Sequence, residues 1–309
     1  MKKGLLIVVA LLLLSSISYA NIVGTGARSI SLGNANSTGV LSGTDCLFSN
    51  PAGIADMKNV ELTSMYGQLK EDVTYTLLGI AVPTKYGTFA IGYSAEKTPD
   101  MTSTGLDSTG KIVAVSSYNY ASSVYSLSYA NSIKNIDYGV TLKESVKGFN
   151  GVTDGQGQGM NADLGIVVNA TDQLKVGLLA QNIITGQSGA IKWQTGISEE
   201  QPYSLKAGIG YNVNSKLNIL AALESTKDQP SELKAGAEYN LTDNFALRCG
   251  VEQKNAGPSE KYYNYSAGAG LKVFGTKVDY AYSHDSLIDY NSRHFVSISI
   301  ELPKLGRGM

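Results

Sequence analysis

The 309 residues carry 25 basic and 26 acidic side chains, a formal net charge of −1, with 43% hydrophobic residues, 34 glycines, 19 tyrosines, two cysteines and two histidines. A disulfide scaffold needs more cysteine, a disordered chain needs fewer apolar residues and more net charge, and a nucleic-acid partner calls for a basic excess. The 17% charged fraction falls below the roughly 25% of soluble domains, and the Gly and Tyr content favours extended structure.

Lys2 and Lys3 precede an apolar run from Leu5 to Leu14, and Ser18-Tyr19-Ala20 places small residues at the usual cleavage offsets. This predicts a secretory signal peptide over 1–20, cut after Ala20. Asn21 follows the cut where a lipoprotein would have Cys. No other window holds 18 consecutive apolar residues, so a helical membrane protein is excluded and the exported chain is either soluble or spans as strands.

Residues 21–58 do not alternate. They contain Gly26-Ala27-Arg28, Gly33, Asp45 and Asn50-Pro51-Ala52-Gly53. Asn before Pro is a helix-start signal, because the Asn side chain caps while Pro occupies the first turn without wasting a donor. A small, Gly-rich, partly helical segment ahead of a wide barrel suits a plug in its lumen.

From residue 59 to 302 the sequence returns repeatedly to period two. Tyr263, Tyr265, Ala267, Ala269 and Leu271 alternate with Asn264, Ser266, Gly268 and Gly270, and Val296, Ile298 and Ile300 alternate with Ser297 and Ser299. Such alternation predicts strands with one apolar face. Runs fall near 60–69, 73–83, 86–96, 121–131, 135–147, 159–169, 173–184, 201–213, 216–227, 230–241, 244–253, 262–273, 275–284 and 292–302. Every second connection is a tight turn, as at Asn214-Ser215 or Thr242-Asp243, while the intervening links include the long stretches 97–120, 148–158 and 185–200. Short turns on one rim and long loops on the other describe a transmembrane antiparallel β-barrel of the bacterial outer membrane, all-β and of about 14 strands. A phase slip between Leu77 and Leu78 predicts a bulge near Gly79.

With the apolar face turned to lipid, Lys175, Lys206, Lys234, Glu238, Arg248, Glu252, Lys272, Lys277, Asp279 and Glu301 face the lumen, as do Asp137, Lys143 and Asp163. They line either a polar passage or a salt-bridged interior that closes it. Tyrosines such as Tyr211, Tyr239 and Tyr280 suit the two interfaces.

The residues Gly26-Ala27-Arg28, Gly33, Asp45 and Asn50-Pro51-Ala52-Gly53, followed by Glu61-Leu62 and Asp72-Val73-Thr74-Tyr75, resemble the opening of the PorV/PorQ group within the FadL-type superfamily. The similarity covers about fifty residues by that motif. It implies a plugged outer-membrane barrel whose partners are secreted cargo proteins or secretion-system components, as in type nine secretion. Alternatively, as in FadL-type members, the partners are hydrophobic small molecules. The chain departs from the pattern at Ser49, where an aromatic is common, and in its tail over 303–309, which lacks a terminal aromatic.

Neither reading calls for catalysis, cofactor or metal. His284-Asp285-Ser286 are consecutive, and adjacent residues rarely supply triad geometry. Cys46 and Cys249 are expected on opposite sides of the wall, the first inside and the second toward lipid, and so unpaired. Ile184, Ile191 and Trp193 are expected on a loop, either as surface grease or packed on the rim.

Overall fold

A computed structural model describes residues 25–69, 73–255, 260–286 and 292–302. The expected signal peptide, the first residues of the N-terminal segment and the tail over 303–309 lie outside the described residues. Each of the fourteen alternating runs falls on one strand: β1 (Glu61–Gln68), β2 (Thr74–Thr84), β3 (Gly87–Leu106), β4 (Ile112–Ile133), β5 (Ile136–Asn150), β6 (Gln156–Asn169), β7 (Leu174–Gln181), β8 (Ser204–Asn212), β9 (Leu217–Thr226), β10 (Glu232–Thr242), β11 (Phe245–Asn255), β12 (Lys261–Val273), β13 (Thr276–Asp285) and β14 (Ser292–Glu301). Sequential neighbours pair antiparallel, and β1 closes the sheet on β14 from Glu61↔Glu301 to Gln68↔His294. Closure removes both sheet edges. Two shorter strands, Ile191–Trp193 and Ser198–Glu199, form a ribbon within the β7–β8 loop.

The alternation sorts side chains as the sequence implies, with grease outside. Ile91, Leu127, Leu142, Leu233, Leu247 and Ile298 are 42–61% exposed, whereas Lys234, Glu238, Arg248, Glu252 and Asp279 are 2–7% exposed. A closed barrel with aliphatic side chains outside and ions inside is inverted relative to a water-soluble one.

Two expectations are corrected. The stretch 97–120 is not a loop: β3 and β4 continue through it and turn only at Asp107–Gly110. β2 leaves β3 at Thr74↔Lys97 and β5 leaves β4 at Asn119↔Asn150, so the rest is a two-stranded ribbon beyond the wall, irregular between Thr98 and Met101. Its Ser, Thr and Gly content reads as loop, but its pairs include Thr98 with Tyr120 and Leu106 with Ile112, and Thr, Tyr and Ile are strand formers. The bulge near Gly79 is also absent, since the β1–β2 and β2–β3 registers run unbroken through it. The slip arises because Tyr75 and Leu77 are apolar yet point inward, at 0% and 1% exposure, before Leu78 resumes the outward face.

The N-terminal segment from Thr25 lies inside. It forms α1 (Ala27–Ser31) and three 3₁₀ turns at Ala35–Thr38, Thr44–Phe48 and Pro51–Ile54. α1 lies against β11 to β14, the first turn against β7 to β10, the second against β1 to β3, and the third against β4 to β6. The segment therefore touches the whole circumference.

Candidate functional site

The wall meets this inner segment through paired glycines. Gly79↔Gly92, Gly139↔Gly165, Gly177↔Gly208 and Gly236↔Gly250 stand directly opposite one another on neighbouring strands. Each pair leaves a notch without side chains, and each notch holds one turn of the segment. A Cβ on Gly92 would come 2.8 Å from the Phe48 ring, on Gly165 1.8 Å from Asn50 Oδ1, on Gly177 2.2 Å from the Thr38 carbonyl oxygen, and on Gly250 2.1 Å from Gly33 N. Backbone approach this close is open only to glycine. Sequence reasoning missed the notches. Their signal was inward-facing glycine at matching strand positions, but the pairing that aligns them depends on register.

The residues of the N-terminal motif sit at these contacts. Asn50 is wholly buried: its Oδ1 accepts from Ala52 N–H at 3.0 Å, with Pro51 in the first turn, as the capping signal implies. Its amide donates to the carbonyls of Thr38 (2.7 Å) and, in the wall, Leu178 (3.0 Å). Gly33 has φ +62°, a left-handed conformation, and its N–H donates to Ser266 Oγ at 3.0 Å. Gly26 packs on Asp45 and Gly53 on Cys46, each too closely for a side chain.

Arg28 reaches the wall. Its Nε and Nη2 donate to the two oxygens of Glu238 at 2.9 and 2.7 Å, and Nη1 donates to the Ser42 carbonyl at 3.3 Å. Burial opposes its charge, but Glu238, with Asp45 and Asp279, outweighs that and raises its pKa. Arg248 extends the network, donating to Glu238 and to Asp279 at 2.7 Å each. This layer lies on the tight-turn side of the notches. On the loop side, Glu224 sits between Lys206 (3.0 Å) and Lys234 (2.5 Å), Lys234 also meets Glu252 (3.0 Å), and Lys254 joins Glu252 to Glu232. Lys143 pairs with Asp163 at 2.8 Å, and Ser132 donates to Asp137 at 2.6 Å. Lys272 and Glu301 pair at the tight-turn rim, while Lys175 and Lys277 are half-buried. Of the two readings of the lumen charges, paired ions favour a closed interior, since a buried charge is tolerable only with a partner.

The flank from β13 through β14 and β1 to β2 differs. There Met65, Tyr75, Leu77, Ala281 and Phe295 face inward and pack with Ile30, Leu47, Phe48 and Ile54 of the inner segment. At the loop rim another apolar cluster stacks Phe149 on Trp193 (centroids 6.0 Å) with Tyr120 tilted against Phe149 (4.9 Å), and Trp193 Nε1 donates to Glu199 at 3.1 Å. Of the two places expected for them, Ile191 and Trp193 take the packed rim, at 2% and 6% exposure, and Ile184 is half-buried. A cleft of about 770 Å³ opens on the same rim, outside the lumen, lined by Ile183, Thr185, Gln187, Tyr203 and Lys227.

The residues that could suggest hydrolysis do other work. Asp285 pairs with Arg293 at 2.6 Å, and the Ser286 hydroxyl donates to the Tyr263 carbonyl at 2.6 Å. Cys46 is buried and Cys249 exposed on the outer face; they are not bonded to each other.

The fold is similar to three solved barrels. It matches the Pseudomonas putida toluene transporter TodX with TM-score 0.64 at 12% identity, over 90% of this chain and 96% of that one. The monoaromatic hydrocarbon channel CymD gives 0.63 at 15% identity over 91% and 97%, and a Pseudomonas aeruginosa FadL homologue 0.62 at 13% over 90% and 98%. These likenesses support the FadL-type fold and add nothing for the PorV/PorQ group in particular. No protein-family model matches the chain, and no curated protein matches it in sequence.

Proposed function

We propose that the exported chain is a bacterial outer-membrane barrel, plugged by its N-terminal segment from Thr25 on, through which hydrophobic small molecules pass. The observation that carries the membrane placement is the closed ring of outward aliphatic side chains around paired interior ions. The transport reading is supported by the fold, shared with a toluene transporter and a monoaromatic hydrocarbon channel. Uptake of labelled toluene by cells expressing the chain tests it. Uptake above that of cells carrying an empty vector is expected, and equality with the vector, in cells where an authentic hydrocarbon channel is active, contradicts it.

Attachment or secretion of cargo proteins is the second reading. It rests on the β3–β4 ribbon, whose Leu106, Ile112 and Val115 are 67–72% exposed beyond the barrel. Deleting the ribbon should then strip proteins from the cell surface. An unchanged surface proteome contradicts this reading.

A further inference from the structure

Beyond the wall, β3 and β4 run on as a ribbon to which, among the described residues, no third strand pairs. β2 leaves β3 at Lys97 and β5 leaves β4 at Asn119, so each ribbon strand keeps one edge whose N–H and C=O groups lie outside any ladder. A two-stranded ribbon is marginal in water unless a third strand or a packed face supports it. The two edges differ. That of β3 starts with Pro99 and a left-handed Asp100 (φ +53°) and has Gly105 near its end. That of β4 is the run Ile112-Val113-Ala114-Val115-Ser116-Ser117-Tyr118, rich in strand formers and without charge, proline or glycine. Natural edges are usually blunted by such residues, and here the blunting falls on β3, with one bulged residue, Val115, on β4. Val113 pairs with Gly105, and Val115 Cγ2 leans to 2.8 Å from that glycine's Cβ position, so both valines share one face; Ile112 pairs with Leu106 on the other. Ile112, Val113 and Val115 are 37–70% exposed.

We infer that this edge of β4 takes an extended, uncharged strand from another protein, laid beside Ile112–Tyr118 in the place that β5 holds lower down. The inference rests on the second reading above and names how a cargo protein is held. The guest's main chain completes the open ladder, while its alternate side chains cover Val113 and Val115 on one face and Ile112 and Ala114 on the other. β5 already pairs with this edge from Ile133 to Asn119, so the guest extends an existing ladder. With no charge in the run, a neutral guest leaves no ion unpaired. A second copy of the chain fits less well. Ribbons of two copies in one membrane point the same way, so their β4 edges would meet parallel, the weaker pairing, whereas a separate strand can add antiparallel.

The probe is a short fluorescent peptide of alternating Val and Thr, added to the detergent-purified chain. Saturable binding is expected, and the same peptide with a central proline, which cannot complete a ladder, should not bind. The double variant Val113→Lys, Val115→Lys should bind the peptide about tenfold more weakly, through loss of two cross-strand pairs. Leu106→Lys removes exposed grease from β3 without touching the β4 edge, and should bind like the unsubstituted chain. Ile112→Lys with Ala114→Lys replaces the double variant should that one lose the heat-modifiable migration of a folded barrel. Absence of binding, undiminished binding by the double variant, or an equal loss with Leu106→Lys overturns the inference. Self-association of the chain that the double variant abolishes, without peptide binding, gives the edge to a second copy and also overturns it. The surface proteome scores the second reading separately. If deleting the ribbon strips proteins that the double variant still holds, attachment stands and the edge falls. If the peptide binds at the edge while ribbon deletion leaves the surface proteome unchanged, the edge stands as a strand-binding site and attachment falls.

Discussion

Asn50 ties three things together with one amide: its own turn, the preceding turn at Thr38, and the wall at Leu178. Its seat is Gly165, so Gly165→Ala should cost about 1–3 kcal/mol through overpacking. Gly148→Ala, where the nearest atom is Gln156 Cγ at 3.6 Å, should stay within about 0.5 kcal/mol. Urea midpoints, followed as loss of the fast-migrating folded band, separate the two. Arg248→Met removes the ion pair of Asp279 and half that of Glu238, and the same measurement should show a loss of about 3–5 kcal/mol. Cys46 gives a chemical check. Burial, reinforced by Asp45, pushes its thiol pKa up, so it stays protonated and should resist maleimide at pH 8 until the barrel is unfolded. Rapid labelling of Cys46 in the folded protein would contradict the packing of the inner segment. The Asn50–Pro51 cap was legible in the sequence because its partners are two residues apart. The Arg28–Glu238 bond was not, because it joins positions 210 apart through the barrel's closure.

The strands were legible because lipid on one side and ions on the other leave a two-residue period in almost every run. Where that contrast fails, so does the reading. The inward grease of β2 imitates a bulge, because the inner segment supplies apolar partners that no local pattern shows. The β3–β4 ribbon has water on both faces and loses the period altogether. Since neither β2 nor β5 pairs with it beyond Lys97 and Asn119, shortening it between Thr102 and Ser116 should leave folding intact. Unaltered heat-modifiable migration and urea midpoint are expected, and loss of the folded band would show that the ribbon helps hold the wall.

At the scale of the molecule, stability depends on which medium meets each face. Ile298, midway along β14 and 42% exposed, is a test point: Ile298→Arg should cost about 2–4 kcal/mol in a bilayer. The closed barrel, which alternation and the spacing of the turns foretold, sets the number of strands and encloses the inner segment. It leaves the lumen's division into ionic and apolar flanks to individual residues on distant strands. The most direct measurement is fractionation of cells expressing the full chain, with unboiled and boiled samples run side by side. The account predicts recovery with the outer membrane, extraction only by detergent, and faster migration before boiling. A chain found in the periplasm or medium, compact without detergent and unaltered by boiling, would contradict it.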